Sequence, residues 1–338
     1  MKYWVLLSLA LANLVRTPSP VVRVGSGLVR GLVSDDGRVY KYLGVPYATV
    51  DKTNRFQSVN DLLRAIKYTK IKNLITSDML FVPCVEKIIP GVTPAVPEYP
   101  VNAIKSGNYF KIPMIIGNTD LEGIYFVGST YGTSLKNMKE QVNPYDLFFD
   151  DLQYPSKEVQ NATMSDIFQY YFSSNKSDLI MELVDFFSDL HIKYPIAVES
   201  SLYSETTDQP IYYYVFKYGG LLNMAKFISG FFIKDGASHA DDLMYLFKPS
   251  SFPLPMRYFE MDMMKRMVSL WTNFAKHGDP TPKPTKLLPI RWRPSKSSNP
   301  VALVIDKSFS SAPMWKEETI ALWNNTYTKY RRKRYGFH

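Results

Sequence analysis

The segment Ile211-Tyr212-Tyr213-Tyr214-Val215-Phe216 restricts the fold of this chain more than any other. Six consecutive apolar or aromatic residues leave no polar face for water, so they form a buried strand inside a sheet. Around it the pattern alternates. Residues 113–117 form a compact strand, 165–172 and 179–187 helices with aromatic and aliphatic faces, and 261–274 a Met-rich helix stopped by His277-Gly278-Asp279-Pro280. Val301–Ile305 is a last strand and 316–327 a last helix. Strands alternating with helices predict an α/β sheet. About five strands are legible. Two of them, 28–33 and 39–43, make a hairpin around Ser34-Asp35-Asp36-Gly37. Residues 62–66 form a short helical turn, and the proline-rich stretch 83–100 is irregular. A sheet covered on both faces in a chain of 338 residues calls for more strand–helix–strand units than these.

Composition narrows the class. Apolar residues make up 46% and charged residues 21%, which excludes a disordered chain, a collagen and a coiled coil. The 40 Lys and Arg against 31 Asp and Glu give a formal charge of +9. Much of that excess crowds into Lys329, Arg331, Arg332, Lys333 and Arg334, so the body is mildly basic and no nucleic-acid partner is expected. Cys84, in Phe81-Val82-Pro83-Cys84-Val85, is the sole cysteine; it rules out a disulfide framework and fits a buried, inert thiol.

The N-terminus carries Lys2 and an apolar run ending in Ala10-Leu11-Ala12, the pattern of a secretory signal cut near Ala12. The run is shorter than the ~20 residues a membrane helix needs. No later stretch qualifies: residues 221–232 are interrupted by Asn223, Lys226 and Gly230. An extracellular protein is expected, and three glycosylation acceptors agree: Asn161-Ala162-Thr163, Asn175-Lys176-Ser177 and Asn324-Asn325-Thr326.

Two polar residues stand out by context. Glu122 lies in Asn118-Thr119-Asp120-Leu121-Glu122-Gly123, directly after the strand 113–117, where α/β sheets place their sites. His239 lies in the small-residue loop Gly236-Ala237-Ser238-His239-Ala240-Asp241-Asp242. Taken singly, each also fits a plain loop role, Glu122 capping a turn and His239 bonded to its own backbone. Their order, acid then histidine, is that of the α/β-hydrolase triad Ser…Asp/Glu…His.

The match then widens along the chain. Gly27-Leu28-Val29-Arg30-Gly31, Tyr42-Leu43-Gly44-Val45-Pro46-Tyr47-Ala48 and Arg55-Phe56 come first. The acid and histidine loops follow, the latter running on through Leu243-Met244-Tyr245-Leu246-Phe247. Trp271-Thr272-Asn273-Phe274-Ala275, Gly278-Asp279-Pro280-Thr281-Pro282 and Trp323-Asn324-Asn325 complete the series. In this order they resemble the type-B carboxylesterase family, which includes the cholinesterases, with a style closest to its insect branch. The resemblance implies an α/β-hydrolase fold over residues 21–328, between the leader 1–12 and a basic tail 329–338. It also implies hydrolysis of a small carboxylic ester by a Ser-Glu-His triad, with Glu122 as orienting acid, His239 as base, and neither cofactor nor metal.

The chain departs from the family at one place. It contains no Gly-x-Ser-x-Gly, the strand-to-helix elbow that carries the serine. Gly236-Ala237-Ser238-His239-Ala240 has one glycine of two, and Ser129 in Gly128-Ser129-Thr130-Tyr131-Gly132 has the wrong register. The oxyanion-hole His-Gly-Gly run is absent too, the one Gly-Gly being Gly219-Gly220. Up to Gln57 the chain follows the family's start, and from Ser58 it resembles a region well past the nucleophile. The expectation is an incomplete α/β-hydrolase without its central strands, elbow and oxyanion hole, and hence without activity. The alternatives are a non-catalytic esterase-like binding protein, with Tyr212–Phe216 lining a pocket, or an incomplete transcript without function.

Overall fold

The computed structural model describes residues 18–24, 27–33, 37, 39–42, 85–86, 88, 90–91, 93–131, 152–172, 179–231, 235–247 and 254–331. The leader at 1–12, the 57–58 junction, the helical turn at 62–66, Cys84, the acceptor Asn175 and residues 332–338 lie outside them. The chain divides into two compact units between Lys70 and Ile71.

The N-terminal unit holds an antiparallel sheet of β1 (Pro18–Val24), β2 (Gly27–Val33) and β3 (Tyr40–Lys41), in that order. The expected hairpin is β2–β3, with Leu32 opposite Lys41 and Val33 opposite Tyr40. Gly37 in its turn has φ 71, a conformation glycine adopts without cost. Strand β1 was not anticipated. Pro18 and Pro20 lack the N–H a ladder needs, and the register breaks between Pro18 and Val21. Ser19 bridges the break: its Oγ accepts from Gly31 N–H at 2.8 Å and donates to the Pro20 carbonyl at 2.9 Å. Gly31 has no alternative here, because a Cβ would collide with the Lys41 carbonyl.

The larger unit is built on a four-stranded sheet of β4 (Met114–Thr119), β5 (Ile211–Phe216), β6 (Val301–Ile305) and β7 (Ser310–Pro313), in that order. Strands β4, β5 and β6 are parallel, with Met114 opposite Ile211 and Tyr213 opposite Ala302; β7 runs antiparallel at one edge. The helices are α1 (Pro100–Ser106), α2 (Gly123–Tyr131), α3 (Lys157–Tyr171), α4 (Leu179–Ser188), α5 (Tyr194–Thr206), α6 (Met224–Ile228), α7 (Leu243–Leu246), α8 (Leu254–Phe259), α9 (Met261–His277) and α10 (Glu317–Tyr330).

The period of two along β5 sorts its side chains. Tyr212, Tyr214 and Phe216 join Met263, Met267 and Leu270 of α9 and the indole of Trp292 in one core. The Trp292 Nε1–H donates to the Tyr213 carbonyl at 3.0 Å. On the other face Tyr213 and Ala302 make a small cluster with Met314, joined by Ile116 and by Ile196 of α5. A third cluster lies among the helices, where Ile124, Val127, Ile167, Phe186, Phe187 and Trp323 are buried. Each buried phenylalanine contributes about 2 to 3 kcal/mol through lost apolar exposure.

Helices α4 and α5 are one continuous rod joined by a π turn, Asp189–Lys193, in which Tyr194 N–H bonds the Asp189 carbonyl. Pro195 follows at once. In a regular helix its ring would press on the carbonyl four residues back, and it has no N–H to give. The extra residue of a π turn lies directly before it.

Candidate active site

Strand β4 delivers the acid. It runs close beside β5 because Gly117 has no side chain; a Cβ would collide with the Tyr214 ring. After Thr119 the chain turns through Asp120 and Leu121 into α2. Glu122 folds back over this turn. Its Oε1 accepts from Thr119 N–H at 2.6 Å, and the residue is buried. Gly123 then lets α2 meet α4: its N–H donates to Ser188 Oγ at 2.8 Å, and a Cβ would strike the Val184 carbonyl.

The loop between Asp235 and Asp242 delivers the histidine, stitched to the acid loop by paired bonds. Ala237 N–H donates to Asp120 Oδ1 at 2.8 Å, and the Ala237 carbonyl accepts from Leu121 N–H at 3.0 Å. Asp241, fully buried, holds the loop from within. Its Oδ2 accepts from Ser238 N–H at 2.7 Å and its Oδ1 from Ala225 N–H at 2.8 Å. Asp242 accepts from the Tyr214 hydroxyl at 2.7 Å. Between these anchors Ala240 takes a φ of 66, unusual for a residue with a Cβ.

These constraints bring the two candidates together. His239 Nδ1 lies 2.6 Å from Glu122 Oε2. With the carboxylate oxygen as acceptor, Nδ1 carries the hydrogen of this bond and Nε2 is the ring nitrogen not engaged by Glu122. The Glu122 side chain is 4% exposed and that of His239 43%, so the pair runs from the interior to the surface. Tyr125 and Phe126 flank the imidazole, with ring centroids at 5.6 and 6.2 Å. Phe126 in turn stacks on His191 at 4.5 Å.

The electrostatics follow from this packing. The bond to Glu122 raises the His239 pKa above its ordinary value, against the opposing effect of burial; the Glu122, Asp242 and Asp241 charges add to the rise. Burial pushes both Asp120 and Asp241 up to about 6, although backbone N–H donors hold each one back. His191 is pushed down to about 4 by burial alone and is neutral at pH 7. An imidazole of this kind accepts a proton at Nε2, and the carboxylate behind it stabilises the imidazolium that forms.

Ser238, next to the histidine, lies inside the loop. It is fully buried while the neighbouring His239 side chain is 43% exposed. Asp120, Asp241 and Asp242, not singled out from the sequence, turn out to hold the site. Asn161 on α3 and Asn324 on α10 are exposed, and Asn324 Oδ1 accepts from the Tyr194 hydroxyl at 3.0 Å. Among the described residues no group of three or more His, Cys, Asp or Glu side chains is placed to hold a metal ion. No helix among them is long and apolar enough to cross a membrane.

An acid after one parallel strand and a histidine in a loop beyond the next meet at the carboxyl end of the sheet, an arrangement that fits an α/β-hydrolase fold. The fold matches that of juvenile hormone esterase from Manduca sexta, with a TM-score of 0.56 at 24% identity over 73% of this chain and 47% of that one. The carboxylesterase family profile matches residues 50–323. The chain belongs to the carboxylesterase family. It is similar to the juvenile hormone esterase of Tribolium castaneum, 26% identical over 254 residues, or 67% of this chain and 42% of that protein. A shorter stretch of 96 residues is 38% identical to the bile salt-activated lipase of Rattus norvegicus, covering 27% of this chain and 16% of the lipase. The chain spans less than half the length of these relatives.

Proposed function

We propose that this chain is a carboxylesterase-family protein that keeps the acid–base half of an ester-hydrolysing site and does not itself turn over esters. The contact of 2.6 Å between Glu122 and His239 carries this reading. The family reaction needs a serine Oγ within reach of Nε2 and N–H donors around the developing oxyanion. The sequence has no Gly-x-Ser-x-Gly and no His-Gly-Gly, which supports a fold lacking its elbow and oxyanion hole. Losing one oxyanion donor alone costs about 3 kcal/mol of transition-state stabilisation. A base with no positioned nucleophile adds little to the uncatalysed rate. The reading includes secretion through residues 1–12 and glycans on Asn161, Asn175 and Asn324, which the exposure of Asn161 and Asn324 supports.

Hydrolysis of a simple aryl ester by the purified full chain tests the proposal. The chain and its His239→Ala variant should hydrolyse the ester at rates within about twofold of each other. A burst of product, together with stoichiometric labelling of any serine by an organophosphate, would overturn it.

A further inference from the structure

A cavity of about 560 Å³ opens on the face of the sheet opposite α9, within the range of small-molecule sites. Its floor is already satisfied. The Tyr213 hydroxyl donates to Asn118 Oδ1, and Asn118 Nδ2 donates to the Thr119 carbonyl at 2.6 Å. Its wall is aromatic, with Tyr171, Tyr194 and Trp315 among the lining residues. The Tyr171 hydroxyl is committed as well, donating to Asp189 Oδ2 at 2.9 Å and accepting from Trp323 Nε1–H at 2.8 Å.

What remains for a ligand is charge. Asp120, Asp185 and Asp189 line the cavity against Lys193 and Lys316, an excess of one negative charge. The π turn brings both Asp189 and Lys193 to the cavity wall, four residues apart. Asp189 Oδ1 has the Lys193 ammonium at 3.9 Å, beyond hydrogen-bond distance. Burial raises the Asp189 pKa, so its charge is poorly solvated where it stands.

We propose that this cavity binds a small organic cation, a primary amine on an aromatic body, with its ammonium against Asp189 in place of Lys193 and its ring against Tyr194 and Trp315. A buried carboxylate favours a cation that brings hydrogen bonds with it. Aromatic walls favour the same ligand, since ring faces attract ammonium groups and ring edges pack on an aryl body. Lys193 acts as the resident counter-ion that the amine displaces. The inference stands apart from the question of ester turnover. The cavity and the acid–histidine pair share Asp120, which lines the cavity and also holds Ala237 in the histidine loop.

Titration of the full chain with benzylamine, benzyl alcohol and benzoate, followed by tryptophan fluorescence and calorimetry, tests it. Benzylamine should bind roughly tenfold or more tighter than either isostere. Lys193→Gln should tighten benzylamine binding several-fold by removing its competitor. Asp189→Asn, which keeps an acceptor for the Tyr171 hydroxyl, should weaken it by roughly tenfold or more. Equal binding of benzyl alcohol would show an apolar void and overturn the proposal. Preference for benzoate, weaker amine binding in Lys193→Gln, or no amine binding to the wild-type chain would overturn it equally. Should Asp189→Asn fail to fold, the sign of the Lys193→Gln effect decides alone.

Discussion

The two faces of strand β5 differ sharply, although their residues alternate along six positions. Toward α9, Tyr212, Tyr214 and Phe216 meet methionines, leucines and Trp292, and the packing is closed. Toward α5, Tyr213 and Val215 meet a small cluster and then a cavity of about 560 Å³ rimmed with aspartates and lysines. Both faces are apolar in sequence, so strand composition alone does not decide how a face is covered. The difference lies in what the connections bring to each face. The closed face receives a 17-residue helix with a methionine and leucine stripe. The open face receives a continuous helical rod whose π turn carries charged residues. The first face is filled by packing, and the second leaves a cavity.

The largest test of this contrast is stability. Phe216→Ala should cost about 4 kcal/mol in denaturant unfolding, whereas Val215→Ala one residue away should cost about 1 kcal/mol. Equal losses would mean that the open face is packed as tightly as the closed one. A smaller effect concerns the pair at the end of the sheet. In Glu122→Gln the His239 pKa should fall, because burial then acts without the carboxylate that raises it. NMR titration of the imidazole reads this directly, and an unchanged midpoint would show that the bond does not govern the base.

The smallest effect concerns Asp120. Its carboxyl, and that of Asp241, stays protonated in the folded chain up to about 6, against an ordinary 3.8. Between these values the folded chain binds more protons than the unfolded one. The stability they contribute is therefore whole below 3.8 and is lost as the pH rises through about 6. Asp120→Asn keeps an acceptor for Ala237 and removes one of the two groups. Its stability relative to wild type should rise between these pH values and then level off, as followed by melting across that range. A difference independent of pH would break the link between this carboxyl and the loop it holds.

Much of this was legible in the sequence. Ile211–Phe216 and Val301–Ile305 form strands over the residues their apolar runs mark. The strand expected at 113–117 is β4 shifted to Met114–Thr119, because Asn118 and Thr119 look polar yet pair with Val215 and Phe216. The helix expected at 165–172 starts earlier, at Lys157, where the Ser156 hydroxyl caps it by accepting from Val159 N–H. Helix α5 was missed altogether. Tyr194-Pro195 reads as a helix end, since proline breaks the ladder, and only the π turn carries the rod through it. Strand β7, Ser-Ser-Ala-Pro, has no strand propensity of its own and exists because β6 pairs with it. At the candidate site the acid and the histidine were visible as motifs. The aspartates that fix them were not, because Asp120 bonds Ala237 across 117 residues and Asp242 bonds Tyr214 on β5, partners that only the fold brings near.

The π turn also sets an angular phase. One residue added to an α-helix rotates everything beyond it by ~100° about the axis. Upstream, α4 aims Leu183, Val184, Phe186 and Phe187 at the helical core; downstream, α5 aims Tyr194, Ala197 and Ser200 inward. Deleting a single residue from 189–193 would remove one side chain and misdirect every one beyond it. Exposed positions such as Pro195 and Glu199 would turn toward the interior. That segment therefore tolerates substitution far better than a change of length, and its spacing carries more structural information than its composition.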